Sequence, residues 1–203
     1  MEIRITVTTE NDFSNTEYLT RDVFWNLFKP GCDEHLVLHK LRKSHAYIPE
    51  LDLVSWDEDH ITGHIISTKA EVMDKNGFSH EVLCAGPLSV REDLQHHGIG
   101  SALMLSSIER AKALKYTGIV LYGNPGYYHR FGFQDAANFG ISTSDGLNFS
   151  AFMVLELFDN ALQNVTGRFF ESEAFKVDEE ELNTFELKFP FREKGPAKIN
   201  LNL

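Results

Sequence analysis

Leu83-Cys84-Ala85-Gly86-Pro87-Leu88-Ser89-Val90-Arg91-Glu92-Asp93-Leu94-Gln95-His96-His97-Gly98-Ile99-Gly100 is the stretch that decides the fold. Val82 to Val90 reads as a mostly apolar strand interrupted by Gly86-Pro87. It runs into a glycine-bearing turn, Gln95 to Gly100, which opens a helix from Ile99 to Lys115. The first N–H groups of a helix have no partner inside it and sit at the positive end of the macrodipole. Glycines let the backbone approach a ligand without a Cβ in the way. Such a turn cradles a phosphate. A Walker loop is excluded, because Gly-Lys-Ser/Thr is missing. A dinucleotide fingerprint needs a third glycine where Leu103 stands and an acidic residue where the next strand ends in Tyr122-Gly123-Asn124. Taken alone, Gly-x-Gly fits a plain strand-to-helix turn better than any ligand site.

The same reading extends outward in both directions. Ile3, Ile5 and Val7 alternate as a first strand. Asn11 to Phe28 reads as a helix, stopped by Pro30-Gly31, and a second helix from Glu34 to about Ala46 follows, with Asp33 as its cap. Leu51 to Trp56 and Ile61 to Val72 form a hairpin. In the central helix the expected apolar stripe is Met104, Leu105, Ile108 and Ala111. Ile119 to Tyr122 is a buried strand, Pro125 to Arg130 a short helical turn, and strand character returns from Phe133 and closes at Ala151 to Leu157. Hairpins alternating with single crossovers imply an α/β fold with a mixed sheet and helices on both faces. Residues 1–158 read as one domain and 159–203 as an extension that packs on it or trails from it. In that extension the phenylalanines suggest packing, Asp178 to Glu181 a solvated charged run, and Glu193 to Leu203 a loose tail.

Bulk composition narrows the function classes. The chain has 203 residues, 42% of them hydrophobic, and a formal charge of −11. That supports a buried core and argues against nucleic acid, which needs a basic footprint. Cys32 and Cys84 lack any CxxC spacing, so neither a disulfide framework nor a thiolate metal set is expected, and a reducing, cytoplasmic setting fits. Met1-Glu2-Ile3-Arg4 does not read as a leader peptide, and no apolar run is long enough for a membrane span. His96 and His97 are adjacent on a turn, where their side chains diverge, and no Cys or carboxylate cluster completes a metal site.

Three segments in order carry a resemblance. Gln95, Gly98 and Gly100, as Gln-x-x-Gly-x-Gly, resemble the acetyl-CoA pyrophosphate motif of the GCN5-related N-acetyltransferase family. Gly86-Pro87-Leu88-Ser89-Val90 resembles its cofactor-side strand, and Asn124 followed by Tyr128-His129-Arg130-Phe131-Gly132-Phe133 resembles its second signature. The pairing of "GPLSV" with "YYxRFGF" is most similar to a bacterial branch of predicted N-acetyltransferases. The resemblance spans roughly Met1 to Leu157. One departure is His96-His97, where Gly-Lys or Gly-Arg is frequent; only backbone groups are needed there.

The resemblance implies a mostly antiparallel central sheet with a splayed, cofactor-binding strand pair. It also implies acetyl transfer from acetyl-CoA to an amine by direct attack on the thioester. The backbone of Leu88 and Val90 would hold the pantetheine arm, with Ser89 between them facing the acceptor. The turn Gln95, His96, His97, Gly98, Ile99, Gly100 and Ser101 would hold the pyrophosphate, and Asn124 would meet the pantetheine amides unless it serves only its Asn-Pro turn. Tyr128 is the candidate general acid, and no residue stands out as the base. Two alternatives remain: a non-catalytic acyl-CoA-binding module, and an acyltransferase for a longer acyl-CoA. The acceptor is a small-molecule or peptide amine of unread identity. Oligomeric state is open, a homodimer being one option.

Overall fold

The computed structural model describes residues 3–199. The elements are β1 (Arg4–Val7), α1 (Glu10–Phe24), α2 (Glu34–Leu41), β2 (Asp52–Asp57), β3 (His60–Met73), β4 (Ser79–Val90), α3 (Ile99–Ala113), β5 (Gly118–Tyr122), α4 (Pro125–Tyr128), β6 (Gln134–Asp135), β7 (Ile141–Ser142), β8 (Phe152–Glu156), β9 (Gly167–Phe170) and α5 (Glu179–Glu186). The main path of the sheet runs β1-β2-β3-β4-β5-β8-β6, with β9 pairing β3 and β7. Every pairing is antiparallel except β4 with β5 and β7 with β9. This is the mixed α/β sheet expected from the chain's pattern, and mostly antiparallel as the resemblance implied.

Neighbouring residues of β3 show how the layers form. Ile65 joins the core with Ile99, Leu103, Met104 and Ile108 of α3. Ile66 packs with Val37, Leu38 and Leu41 of α2. Successive side chains of a strand point to opposite faces, so α3 covers one face and α2 the other. Gly63 lets α3 settle onto β3, since a Cβ there would come within 2.9 Å of Leu103 and 3.0 Å of Ile99.

Several boundaries differ from the expectation for local reasons. α1 stops at Phe24, and Asn26 adopts a left-handed φ of 58° with its Oδ1 accepting from Gly31 N–H at 2.7 Å. α2 stops at Leu41, whose carbonyl takes the Ser44 hydroxyl at 2.8 Å. In α3, Leu105 is 51% exposed, and Leu103 with Ile99 completes the buried stripe instead. At 100° per residue Leu105 lies one step past the stripe's edge. Between Phe133 and Ala151 only the two-residue strands β6 and β7 form.

Beyond residue 158, β9 joins the sheet and α5 sets Phe185, with Phe189 after it, against Leu36. Asp178 caps α5, accepting from Glu180 and Glu181 N–H, so the exposed charged run is that helix's first turn. Glu193 to Ile199 are not loose. Glu193 O accepts from Trp25 Nε1 at 3.0 Å, and Lys198 and Ile199 N–H donate to Asn26 and Leu27 carbonyls at 2.7 and 2.8 Å. The remainder of that expected tail, 200–203, lies outside the described residues.

A buried polar cluster ties α1 and α2 to β2 and β3. Arg42 Nε donates to Asp52 Oδ2 at 2.8 Å, and Arg42 Nη2 donates to Thr16 Oγ1 at 2.9 Å. His64 Nε2 lies 2.7 Å from Asp52 Oδ1, and Tyr47 OH donates to Asp52 at 3.1 Å. Burial alone would raise the Asp52 carboxyl, but the hydrogen bonds from His64 and Arg42 and the Arg42 charge hold it below the usual carboxylate range. Burial lowers His64, so it sits neutral with Nε2–H donated to Asp52. Removing one member strands the others without water. We expect Asp52→Ala to cost about 3–5 kcal/mol in urea unfolding. A loss within the range of an exposed substitution would show that the cluster is not holding the layers together.

Candidate active site

The site begins where β4 gains a residue. Ser67 pairs Ala85 and Ile65 pairs Leu88, so two steps of β3 face three of β4. Gly86-Pro87 is therefore a bulge, and Gly86 takes φ 135°, a value for which glycine is suited. The effect on facing is visible in the core: Ala85, Leu88 and Val90 all pack on the α3 side. On its other edge β4 pairs β5 only at Leu83–Ile119 and Cys84–Val120. Beyond Cys84 that edge pairs with no strand among the described residues. Arg91 N–H donates to Thr62 O of β3 at 2.9 Å. Alternation along an antiparallel ladder then turns the N–H groups of Leu88 and Val90 to the free edge.

The free edge leads to the turn. Gln95 does not project outward, since its Nε2 donates to the Val90 carbonyl at 3.2 Å and lashes the turn to β4. His96 takes φ 65° and Gly98, the N-cap of α3, takes φ 87°. His97 Nδ1 lies 2.8 Å from Gln95 O, and both histidines are exposed. The first helical hydrogen bond is Ala102 N–H to Gly98 O at 2.9 Å. The N–H groups of His96, His97, Gly98, Ile99, Gly100 and Ser101 have no acceptor among the described residues. α3 carries no acidic residue in its first turn and no side-chain cap. The opening is thus a row of unpaired donors with a dipole behind it.

Across the split stands the second segment. Asn124 caps α4, its Oδ1 accepting from Gly126 N–H at 2.9 Å, which fulfils the turn reading and leaves its amide N–H₂ without a partner among the described residues. Tyr127 lies against the turn: a Cβ on Gly100 would come 2.7 Å from its hydroxyl. Tyr128 packs on the α3-side core, edge-on to Tyr127 at 4.9 Å and to Phe133 at 5.8 Å. Its ring lies over Gly123, where a Cβ would meet Cε2 at 2.2 Å. Burial, and secondarily Tyr127, pushes its phenol up to about 12. Ser89 is closed off rather than turned to an acceptor: it is fully buried beneath α1, with Oγ donating to Thr20 Oγ1 at 3.1 Å.

The chain has known relatives. A model of the acetyltransferase (GNAT) family matches residues 18–133, more than half of the chain. The chain belongs to the GNAT acetyltransferase family. It is 30% identical over 111 residues to the uncharacterized N-acetyltransferase YhbS of Escherichia coli K12, a match covering 55% of this chain and 65% of the relative's length. The solved structure of E. coli YhbS in complex with CoA superposes with a TM-score of 0.75 at 27% identity, covering 85% of this chain and 91% of that one. A GNAT family acetyltransferase from Brucella melitensis, in complex with acetyl-CoA, superposes with a TM-score of 0.70 at 23% identity, covering 86% and 99%. With the Brucella protein the likeness is one of fold alone.

Sequence reading of this GNAT chain missed the bulge, the Gln95 tie and the glycines under the tyrosines. Gly123 was legible only as a turn residue, because the ring that needs its missing Cβ is five positions away. Among the described residues no group of three or more His, Cys, Asp or Glu is placed to hold a metal. No helix among them is long and apolar enough to cross a membrane. We expect Gly123→Ala to displace Tyr128 and cost about 1–3 kcal/mol. Combined with Tyr128→Ala, the added loss should largely vanish in a thermal-unfolding cycle. Strict additivity would mean that the two residues are not in contact.

Proposed function

We propose that the protein moves an acetyl group from acetyl-CoA to an amine by direct attack on the thioester. The observation that carries this reading is the row of unpaired N–H groups from His96 to Ser101 placed at the end of the free β4 edge. A pyrophosphate suits the first, and an extended amide chain suits the second. Each charge-assisted N–H bond contributes roughly 1.5–3 kcal/mol, so a few are enough for an anchor. The pantetheine arm then runs back along Val90 and Leu88, adding a strand in the place β5 has vacated. Four residues from Val90 to Gly86 span about 13 Å, which brings the thioester near the closed end of the split.

Each residue then has a task. A Leu88 or Val90 N–H polarises the thioester carbonyl as negative charge grows on its oxygen. The Asn124 amide meets the arm from the β5 side. Tyr128 donates to the sulfur as the C–S bond breaks. With the phenol near 12 and a thiol near 8.5, full proton transfer is uphill by roughly 3.5 units, about 5 kcal/mol. Tyr128 therefore stabilises the leaving sulfur as a hydrogen-bond donor and keeps its own proton.

Thermal stabilisation, thiol release and a tyrosine variant check this. Acetyl-CoA should raise the melting temperature, and a thiol-release assay against an amine panel should show turnover; stabilisation with no release on any amine would favour a binding module, and stronger stabilisation by longer acyl-CoAs a different donor. Tyr128→Phe should lower kcat by about 10- to 100-fold, the worth of one hydrogen bond to a charged group, with CoA affinity nearly unchanged. Unaltered turnover would remove Tyr128 from the mechanism.

A further inference from the structure

Tyr128 occupies the α3 face of the split, and the opposite face carries a different set of groups. Ile119 and Leu121 of β5 pack on the α3 side and Val120 on the other. Alternation therefore puts Tyr122 on the face opposite Tyr128. Tyr122 is 45% exposed, stacked 5.1 Å from Phe152 and 6.1 Å from Phe149, with Phe169 edge-on at 6.4 Å. Cys84, the last residue of β4 to pair with β5, packs into this same cluster. The aromatic wall thus stands where the split begins, beside the position reached by the thioester.

Two carboxylates act on that wall, Glu171 and, after it, Asp145. In β9 Phe169 pairs Val72 and Phe170 pairs Glu71, and Glu171 is the next residue after that strand. Phe169 is buried among Cys84 and Phe152. Two residues on, Glu171 shares its face. Glu171 reaches solvent, yet it forms no ion pair or hydrogen bond among the described residues. Lys176, on the segment that follows, is committed to Glu173 at 2.8 Å. Burial raises the Glu171 carboxyl, with Lys176 opposing. Its charge is felt at Tyr122 and Cys84, where it acts after burial to hold both groups above their ordinary values.

Resting on the acetyl-transfer reading, we propose that the acceptor is a primary amine carried on an aromatic or apolar body. Its ammonium pairs with Glu171, and its body lies against Tyr122 and Phe149. The ring faces favour a cation and an apolar surface together. Glu171 carries no partner among the described residues and fits one positive charge, while Asp145, whose charge also reaches Tyr122, already accepts from the Thr143 hydroxyl. The chemistry balances. The ammonium gives one proton to Glu171, which passes it to solvent. The freed nitrogen attacks the carbonyl carbon, the N–C bond forms, the C–S bond breaks, and the second proton leaves nitrogen for the departing thiolate. This places the amine and the Tyr128 hydroxyl on opposite faces of the split, with the hydroxyl left to serve the sulfur.

The test is calorimetric titration of the CoA-saturated protein with phenethylamine and with its neutral analogue 2-phenylethanol. The wild type should bind the amine about tenfold tighter or more, and Glu171→Gln should bring the two within about twofold. CoA affinity, measured in the same samples, should be equal in both proteins and shows that the variant is folded. An amine preference that survives in Glu171→Gln, or no preference in the wild type, overturns the assignment of Glu171. Failure of CoA itself to bind overturns the acetyl-transfer reading beneath it instead.

Discussion

The site depends on one mismatch: between Ala85 and Leu88, β4 has a residue more than β3 can match. A bulge bends its strand and sharpens the local twist. Here it comes directly after the last β4–β5 pair, at Cys84 and Val120. The strand that leaves β5 stays paired to β3 through Val90, so one edge is fixed and the other is open. Open strand edges are a hazard in most proteins, because they invite another chain. This one ends at the exposed donors of α3, and in the proposed reading the CoA arm and its pyrophosphate cover both.

The two faces of the split are built differently. The α3 face is apolar and tightly fitted, with Gly63 admitting the helix, Gly100 admitting Tyr127 and Gly123 admitting Tyr128. The other face carries α1 and α2, held by the Arg42–Asp52–His64 cluster, and then the residues after β8. Those last residues do more than follow the domain. β9 continues the sheet on β3, and α5 sets Glu186 against Arg21 at 2.8 Å, binding the chain's end to α1. The same stretch brings Glu171 to the aromatic wall.

Much of this was legible in the sequence where the signal is local. The strand-turn-helix at Val82 to Lys115 could be read because glycine, periodicity and capping rules act over a few residues. The hairpin of β2 and β3 could be read for the same reason. What could not be read depends on distant pairings. Asp52, His64 and Arg42 show no pattern in the chain, since they meet only after two strands and a helix have packed. β9 is four residues opening on Gly167, whose missing Cβ admits the Met73 carbonyl, a need invisible until β3 is beside it. The tail was misjudged because its hydrogen bonds are to Trp25, Asn26 and Leu27, some 170 residues earlier. Ser89 was misjudged because alternation gives its face but not the helix lying over it.

The central claim is that the unpaired N–H groups from His96 to Ser101 hold the phosphates of the cosubstrate. Amide hydrogen exchange across that segment tests it most directly, with CoA compared against pantetheine, which carries the same arm without the phosphates. The account predicts that saturating CoA slows exchange from His96 to Ser101 while pantetheine leaves it as fast as in the free protein. Equal exchange in the free and CoA-bound protein, or equal slowing by the two ligands, would contradict it.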